Sequence, residues 1–167
     1  MLKMAREDHP DCRFDRVDLT GKLPYSDGAF ELVFCNQVLM DLPQIDGTMA
    51  EFARVLQPGG RLWFSIVHPA FYLGEWVADE EGIKRAKQIS GYLTQRELEG
   101  SFWGRSTHYH RPLSFYFNLA AACGFSLVRM TEPPAYNPAE NSSGLPLFLC
   151  AEFEKPKSGT AEGEDAE

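Results

Sequence analysis

The sequence has few of the features that would place a chain in a membrane, an oxidising compartment or a nucleic-acid complex. Its longest strongly apolar stretches, 32–35 and 62–67, are far shorter than the ~20 residues a bilayer span needs. The start, Met1-Leu2-Lys3-Met4-Ala5-Arg6-Glu7-Asp8, lacks the apolar centre of a secretion signal. No run of Lys or Arg occurs, and 24 acidic against 16 basic side chains leave a net charge of −8. That balance opposes broad binding to nucleic acid or to an anionic membrane. Cysteine is scarce: Cys12, Cys35, Cys123 and Cys150 form no CxxC pair, so reduced core residues are expected, not disulfide or zinc ligands. No internal repeat is visible. The expectation is a cytoplasmic protein with a small-molecule partner, no nucleic acid and no membrane.

What is present is enough for one folded domain. The 167 residues are 44% apolar and 13% aromatic, and a domain of this size hides roughly two-thirds of its unfolded surface. A helix end over residues 1–8, with Leu2 and Ala5 inward, stops at His9-Pro10. A short strand is expected over 13–17, then a turn at Asp18-Leu19-Thr20-Gly21. The run 30–35, Phe-Glu-Leu-Val-Phe-Cys, suits a strand covered on both faces, as in a parallel sheet. Asp46 is placed to cap a helix whose Met49, Phe52, Ala53 and Leu56 share one face. Pro58-Gly59-Gly60 ends that helix, and 61–67 is a second apolar strand, completing a βαβ order.

Beyond it, 70–111 reads as a long insertion without a sustained period. Its Phe71, Tyr72, Trp76 and Trp103 are suited equally to walling a substrate pocket and to a local core. Regularity resumes with a helix from Pro112 to Cys123 stopped by Gly124, then strands over 125–130 and 145–153. The domain is thus drawn over 1–154. The tail, 155–167, has no large apolar side chain and is expected to be disordered.

The most informative segment is Leu23-Pro24-Tyr25-Ser26-Asp27-Gly28-Ala29-Phe30-Glu31, followed at a helix's distance by Leu56-Gln57-Pro58-Gly59-Gly60-Arg61-Leu62. It resembles the class I S-adenosylmethionine-dependent methyltransferases of small-molecule type, where such loops enter the fourth and fifth strands. Ser65-Ile66-Val67-His68-Pro69, Tyr109-His110-Arg111-Pro112, Ala122-Cys123-Gly124-Phe125 and Pro146-Leu147-Phe148-Leu149 extend the likeness downstream. The resemblance implies an α/β Rossmann-like three-layer sandwich with sheet order 3-2-1-4-5-7-6 and the last strand antiparallel. It implies S-adenosyl-L-methionine as cofactor and methyl transfer to a small molecule.

Carried residue by residue, the family's adenine contacts fall on Asp18 and Leu19, and the groups beside the sulfonium on Asn36 and Gln37. Asp18 equally suits an Asx turn onto Thr20, and the amides of 36 and 37 equally suit a loop start. In-line placement does most of the chemistry, with a base where the nucleophile must lose a proton. His68, at the end of the fifth strand, and His110 are the candidate catalytic residues. His108 shares a face of an extended segment with His110, but no third metal ligand accompanies them.

The family's glycine-rich loop is not found, since no G-x-G occurs in the chain. The sequence therefore reads as the downstream part of the fold, with the first two strands absent. An incomplete sheet would leave an open edge available for self-association or for a partner. Two alternatives to catalysis follow: a non-catalytic remnant and a protein-binding module that uses that edge. The methyl-accepting atom is open among oxygen, nitrogen and carbon.

Overall fold

The computed structural model describes residues 2–100, 106–134 and 144–157. Its centre is a mixed sheet of β1 (Phe30–Asn36), β2 (Leu56–Val67), β7 (Ser126–Thr131) and β8 (Phe148–Glu154), in the order β1-β2-β8-β7. β1 runs parallel to β2, and β8 lies antiparallel between β2 and β7. This is the 4-5-7-6 portion of the expected order, last strand antiparallel. Helices α2 (Asp46–Val55) and α4 (Leu113–Ala122) cover one face. Under them Leu62, Phe64 and Ile66 of β2 and Leu149, Ala151 and Phe153 of β8 are fully or almost fully buried, the period-2 set that one covered face requires.

α2 ends at Val55, before the expected Pro58-Gly59-Gly60 stop, and residues 56–60, expected as the last helix position and a turn, open β2 as an irregular, turn-like stretch. Gly59 has φ +82°, and a Cβ on Gly60 would meet the Gln57 carbonyl oxygen at 2.8 Å and that of Glu31 at 3.1 Å. Only glycine lets the turn press against β1. Asp46 occupies the helix's first turn; the cap is Ile45, with no side-chain hydrogen bond. Asp46 therefore acts on the helix dipole and caps no N–H. α4 begins after Pro112 and closes at Gly124, φ +84°, with Phe125 N–H reaching back to the Ala120 carbonyl.

Further sequence expectations need correction. Residues 13–17 form no strand, because no neighbouring strand is there to accept their backbone hydrogen bonds. β1 is covered on one face only: Leu32 is 55% and Phe34 61% exposed. On the open face Phe34 stacks on Trp63 at 4.3 Å, and Arg61, Glu152, Glu154 and Arg129 form ion pairs across β2, β8 and β7. α1 (Leu2–Asp8) forms as expected but buries no residue.

A further correction concerns 70–111. It is organised into α3 (Pro69–Tyr72) and two antiparallel hairpins, β3 (Glu75–Ala78) with β4 (Lys84–Gln88), and β5 (Arg96–Gly100) with β6 (Ser106–His110). The first hairpin is exposed on both faces, so its sequence carries no alternation to read. Trp103 lies outside the described residues, as do 158–167 of the expected tail. Lys155, the tail's first residue, is anchored: its Nζ donates to the carbonyls of Ala53 and Leu56 at 2.7 Å each.

Candidate functional site

The carboxyl ends of β1 and β2 meet at one rim, where open α/β sheets bind ligands. Ser65 Oγ donates to Asn36 Oδ1 at 2.5 Å and accepts from Gln37 Nε2 at 3.0 Å. Gln37 N–H continues the ladder to the Ser65 carbonyl at 2.9 Å. Gln37 has φ +54°, the one described non-glycine residue in the left-handed region, a conformation that costs roughly 1–2 kcal/mol. The chain leaves β1 through a strained residue held by Ser65, a role that nothing in the sequence marked.

Asp18 and Leu19 are held from the other side. Asp18 Oδ1 accepts from the backbone N–H and the hydroxyl of Thr20 at 2.9 and 2.7 Å, so the Asx turn is formed. The Thr20 hydroxyl, then its N–H, lower the Asp18 pKa, keeping the exposed carboxylate ionised. Leu19's carbonyl accepts from Thr48 Oγ1 of α2 at 2.8 Å. Oδ2 of Asp18 and the N–H of Leu19 make no hydrogen bond among the described residues. No hydrogen bond joins this pair to Asn36 or Gln37.

The loop between them is clamped to α2. Glu51 accepts from Leu23 N–H at 2.7 Å and from Arg54, which also donates to the carbonyls of Leu23 and Tyr25 and to Asp27. Hydrogen bonds from Arg54, then from Leu23 N–H, lower the Glu51 carboxyl from 4.5 to about 2. A depressed carboxylate stabilises the fold above its unfolded pKa and stops doing so as pH falls through the folded value. Stability should decline between about pH 5 and pH 2, and Glu51→Gln should flatten that decline. Urea midpoints at pH 7, 4 and 2.5 check it.

Of the two candidate catalytic histidines, His68 has both ring nitrogens committed. Nδ1 accepts from Ala70 N–H at 3.2 Å, capping α3, and Nε2 lies 2.8 Å from Glu132 Oε1. With Nδ1 an acceptor, Nε2 must be the protonated donor to Glu132, which leaves no lone pair for a base. His110 is 6% exposed; its Nε2 donates to the Tyr92 carbonyl at 2.7 Å, and Nδ1 keeps its lone pair. Burial chiefly lowers the His110 pKa; the Tyr92 carbonyl opposes this and Arg96 adds to it. The ring is neutral at pH 7.

His110 and His108 share a face of β6, as their spacing implied, and both line a narrow cavity of about 20 Å³ with Met40, Tyr72, Leu98 and Tyr116, room for about one water. A wider recess of about 190 Å³ adjoins it, sharing Tyr109, His110 and Arg111. Burial pushes the phenols of Tyr72 and Tyr116 up, so both are donors at pH 7. Two residues that sequence reasoning passed over matter here, Arg111 in the wall itself and Asp41 behind His108. Asp41, in the short 3-10 turn Leu39–Asp41, places Oδ1 2.6 Å from His108 Nδ1. Arg111, 4% exposed, donates to the carbonyls of Leu42 and Pro43 at 2.8 Å and of Leu39 and Tyr109 at 3.4 Å. Burial pushes the Cys35 thiol up to about 12, leaving it an inert core residue.

Known proteins agree with this architecture. A family profile described as "Methyltransferase domain" matches residues 1–64. Phthiotriol/phenolphthiotriol dimycocerosates methyltransferase 1 of Mycobacterium ulcerans (strain Agy99) is 31% identical over 99 residues, 58% of this chain and 34% of that protein. The chain thus spans about one third of the length of the first curated relatives it matches. Among solved structures, an S-adenosylmethionine-dependent methyltransferase from Mesorhizobium loti superposes with a TM-score of 0.78 at 24% identity, covering 92% of this chain and 75% of that one. The 1,6-didemethyltoxoflavin-N1-methyltransferase of Burkholderia thailandensis, solved with its substrate and S-adenosylhomocysteine, superposes with a TM-score of 0.56 at 15% identity, over 93% of this chain and 56% of that one. The chain is thus similar over residues 1–64 to the methyltransferase domain, and it shares the fold of S-adenosylmethionine-dependent methyltransferases.

Proposed function

We propose that the protein takes part in methyl transfer from S-adenosyl-L-methionine to a small-molecule acceptor at the rim where β1 and β2 end. The observation that carries this reading is the juxtaposition there of the tethered Asn36-Gln37-Ser65 turn with a histidine-lined cavity. Asp18 and Leu19 fit the adenine edge, because Oδ2 and the N–H are the uncommitted acceptor and donor that an exocyclic amine and a ring nitrogen complement. Asn36 and Gln37 stand beside the reacting sulfonium. When bound, the cofactor supplies an activated methyl group; the chain's own groups orient the acceptor and receive its proton. His110 borders the acceptor from the wider recess with a neutral ring, and His68 fixes α3 through its bonds to Ala70 and Glu132. The acidic net charge supports a small-molecule partner, the protein acting in the cytoplasm; among the described residues no helix is long and apolar enough to cross a membrane.

Calorimetric titration of the whole chain with S-adenosylmethionine tests this. Binding at millimolar concentration or tighter is expected, with Asp18→Ala weakening it about tenfold, the roughly 1.4 kcal/mol of one charge-assisted hydrogen bond. No heat at millimolar cofactor would overturn the reading. The exposed Leu32 and Phe34 on the open face of β1 favour a second one, in which this edge associates with a second copy or with a partner that supplies strands. Light scattering that returns the monomer mass would reject self-association.

A further inference from the structure

We propose that Asp41 and His108 form the base that removes the acceptor's proton, and that the methyl acceptor is therefore a hydroxyl compound. The inference rests on the methyl-transfer reading above and deepens it. Nδ1 of His108 is fully buried, and no group lies within hydrogen-bonding geometry of it. Its close polar neighbour is Asp41 Oδ1 at 2.6 Å, set off the line of an ideal hydrogen bond. A buried ring nitrogen needs a partner, and the acidic oxygen supplies one when Nδ1 carries the proton. Nε2 then keeps the lone pair on a ring that lines the cavity.

His108 suits the task better than its neighbour. When a base takes a proton it becomes a cation, and Asp41 lies against His108 to stabilise that charge. His110 has a carbonyl partner, a burial cost, and Arg96 nearby, all of which leave its imidazolium less supported. The titratable and charged groups around His108 are Asp41 from the 3-10 turn, Tyr72 from α3, Tyr109, His110 and Arg111 from β6 and the residue after it, and Tyr116 from α4. Among the described residues that contact His108 or line its cavity, Asp41 is the only carboxylate.

The chemistry of the acceptor follows. In the transfer the hydroxyl oxygen forms a bond to the methyl carbon, the carbon–sulfur bond breaks with its electron pair left on sulfur, and the hydroxyl proton moves to His108 Nε2 by way of the narrow cavity, which adjoins the recess and has room for about one water. A neutral amine attacks before it loses a proton, and a thiol ionises readily by itself. An alcohol or phenol is the acceptor for which a carboxylate-backed imidazole matters most, and such bases contribute 10²–10⁴-fold.

The test has two arms. In the whole chain, labelled with ¹⁵N-histidine and without cofactor, His108 should show the Nδ1–H tautomer, and Asp41→Asn should shift it toward Nε2–H. An Nε2–H tautomer in the unmodified chain overturns the proposal. In the second arm the chain with S-adenosylmethionine is offered phenol, aniline and thiophenol. Methylation of phenol should fall at least 100-fold in His108→Gln through kcat with KM nearly unchanged, while thiophenol loses less than tenfold. Equal losses for both, or none for phenol in a variant whose melting is unchanged, overturn it, as does cofactor binding without any phenol methylation. If the cofactor itself does not bind, the methyl-transfer reading fails, and the tautomer arm alone decides the pair.

Discussion

Phe64→Ala is expected to destabilise the protein by about 3–5 kcal/mol, the range for removing a fully buried aromatic ring from a core that cannot collapse around the void. Phe64 has no exposure. Its ring lies 5.7 Å from that of Phe153 and 6.1 Å from that of Tyr116, so it joins β2 to β8 and to α4 at once. For a chain of this size that loss lowers the melting temperature by roughly 10 °C or more. Phe34→Ala is the internal control: one strand away and 61% exposed on the open face, it should cost about 1 kcal/mol or less, mainly its stacking on Trp63. Thermal melts of the two variants measure how far the covered and uncovered faces of the sheet differ. Equal shifts would mean that the open face is covered in solution.

Arg111→Met should cost about 2–4 kcal/mol. Its guanidinium bonds to four carbonyls, two of them at 2.8 Å from residues 42 and 43. Removing the donor leaves buried acceptors without partners, and the desolvation penalty then falls on the fold. Arg111→Lys should recover only part of it, because one ammonium cannot reach four carbonyls spread around a planar fork. The consequence reaches the site. The carbonyls of Leu39, Leu42 and Pro43 belong to the segment that carries Asp41, so loosening it should displace the carboxylate from His108. Urea unfolding gives the stability change, and the histidine tautomer spectrum of Arg111→Met gives the positional one.

The legible parts of the fold were those written in local chemistry. The Leu23–Gly28 loop lies where its residues imply, whereas Pro58-Gly59-Gly60, expected as the turn that ends the helix, lies within β2. The helix face of Met49 and Phe52 and the order β1-α2-β2 followed from periodicity. Residues 13–17 and the outer face of β1 were misread for the same reason: pairing and covering depend on neighbours far along the chain, and Phe30–Cys35 reads alike whether one face or both are buried. The first hairpin of 70–111 was invisible because strands exposed on both faces have no alternation.

At the site, the clustering of His108 and His110 could be read from their spacing. Asp41 and Arg111 could not, since one is an acid in a short turn, the other a cation after a strand, and only the tertiary fold brings each to its partners. Tyr109-His110-Arg111-Pro112 held the clue to Arg111, a base amid apolar neighbours immediately before a helix. His68 shows the converse, a residue singled out by position whose ring is fully occupied in capping α3 and bonding Glu132.

The central claim is that cofactor is held at Asp18, Leu19, Asn36 and Gln37, and amide chemical-shift mapping of the whole chain with S-adenosylhomocysteine addresses it directly. Saturable shifts should centre on the amides of these four residues and pass through Ser65, with little change in the β3–β4 hairpin. Shifts confined elsewhere, or none at millimolar ligand, would contradict it.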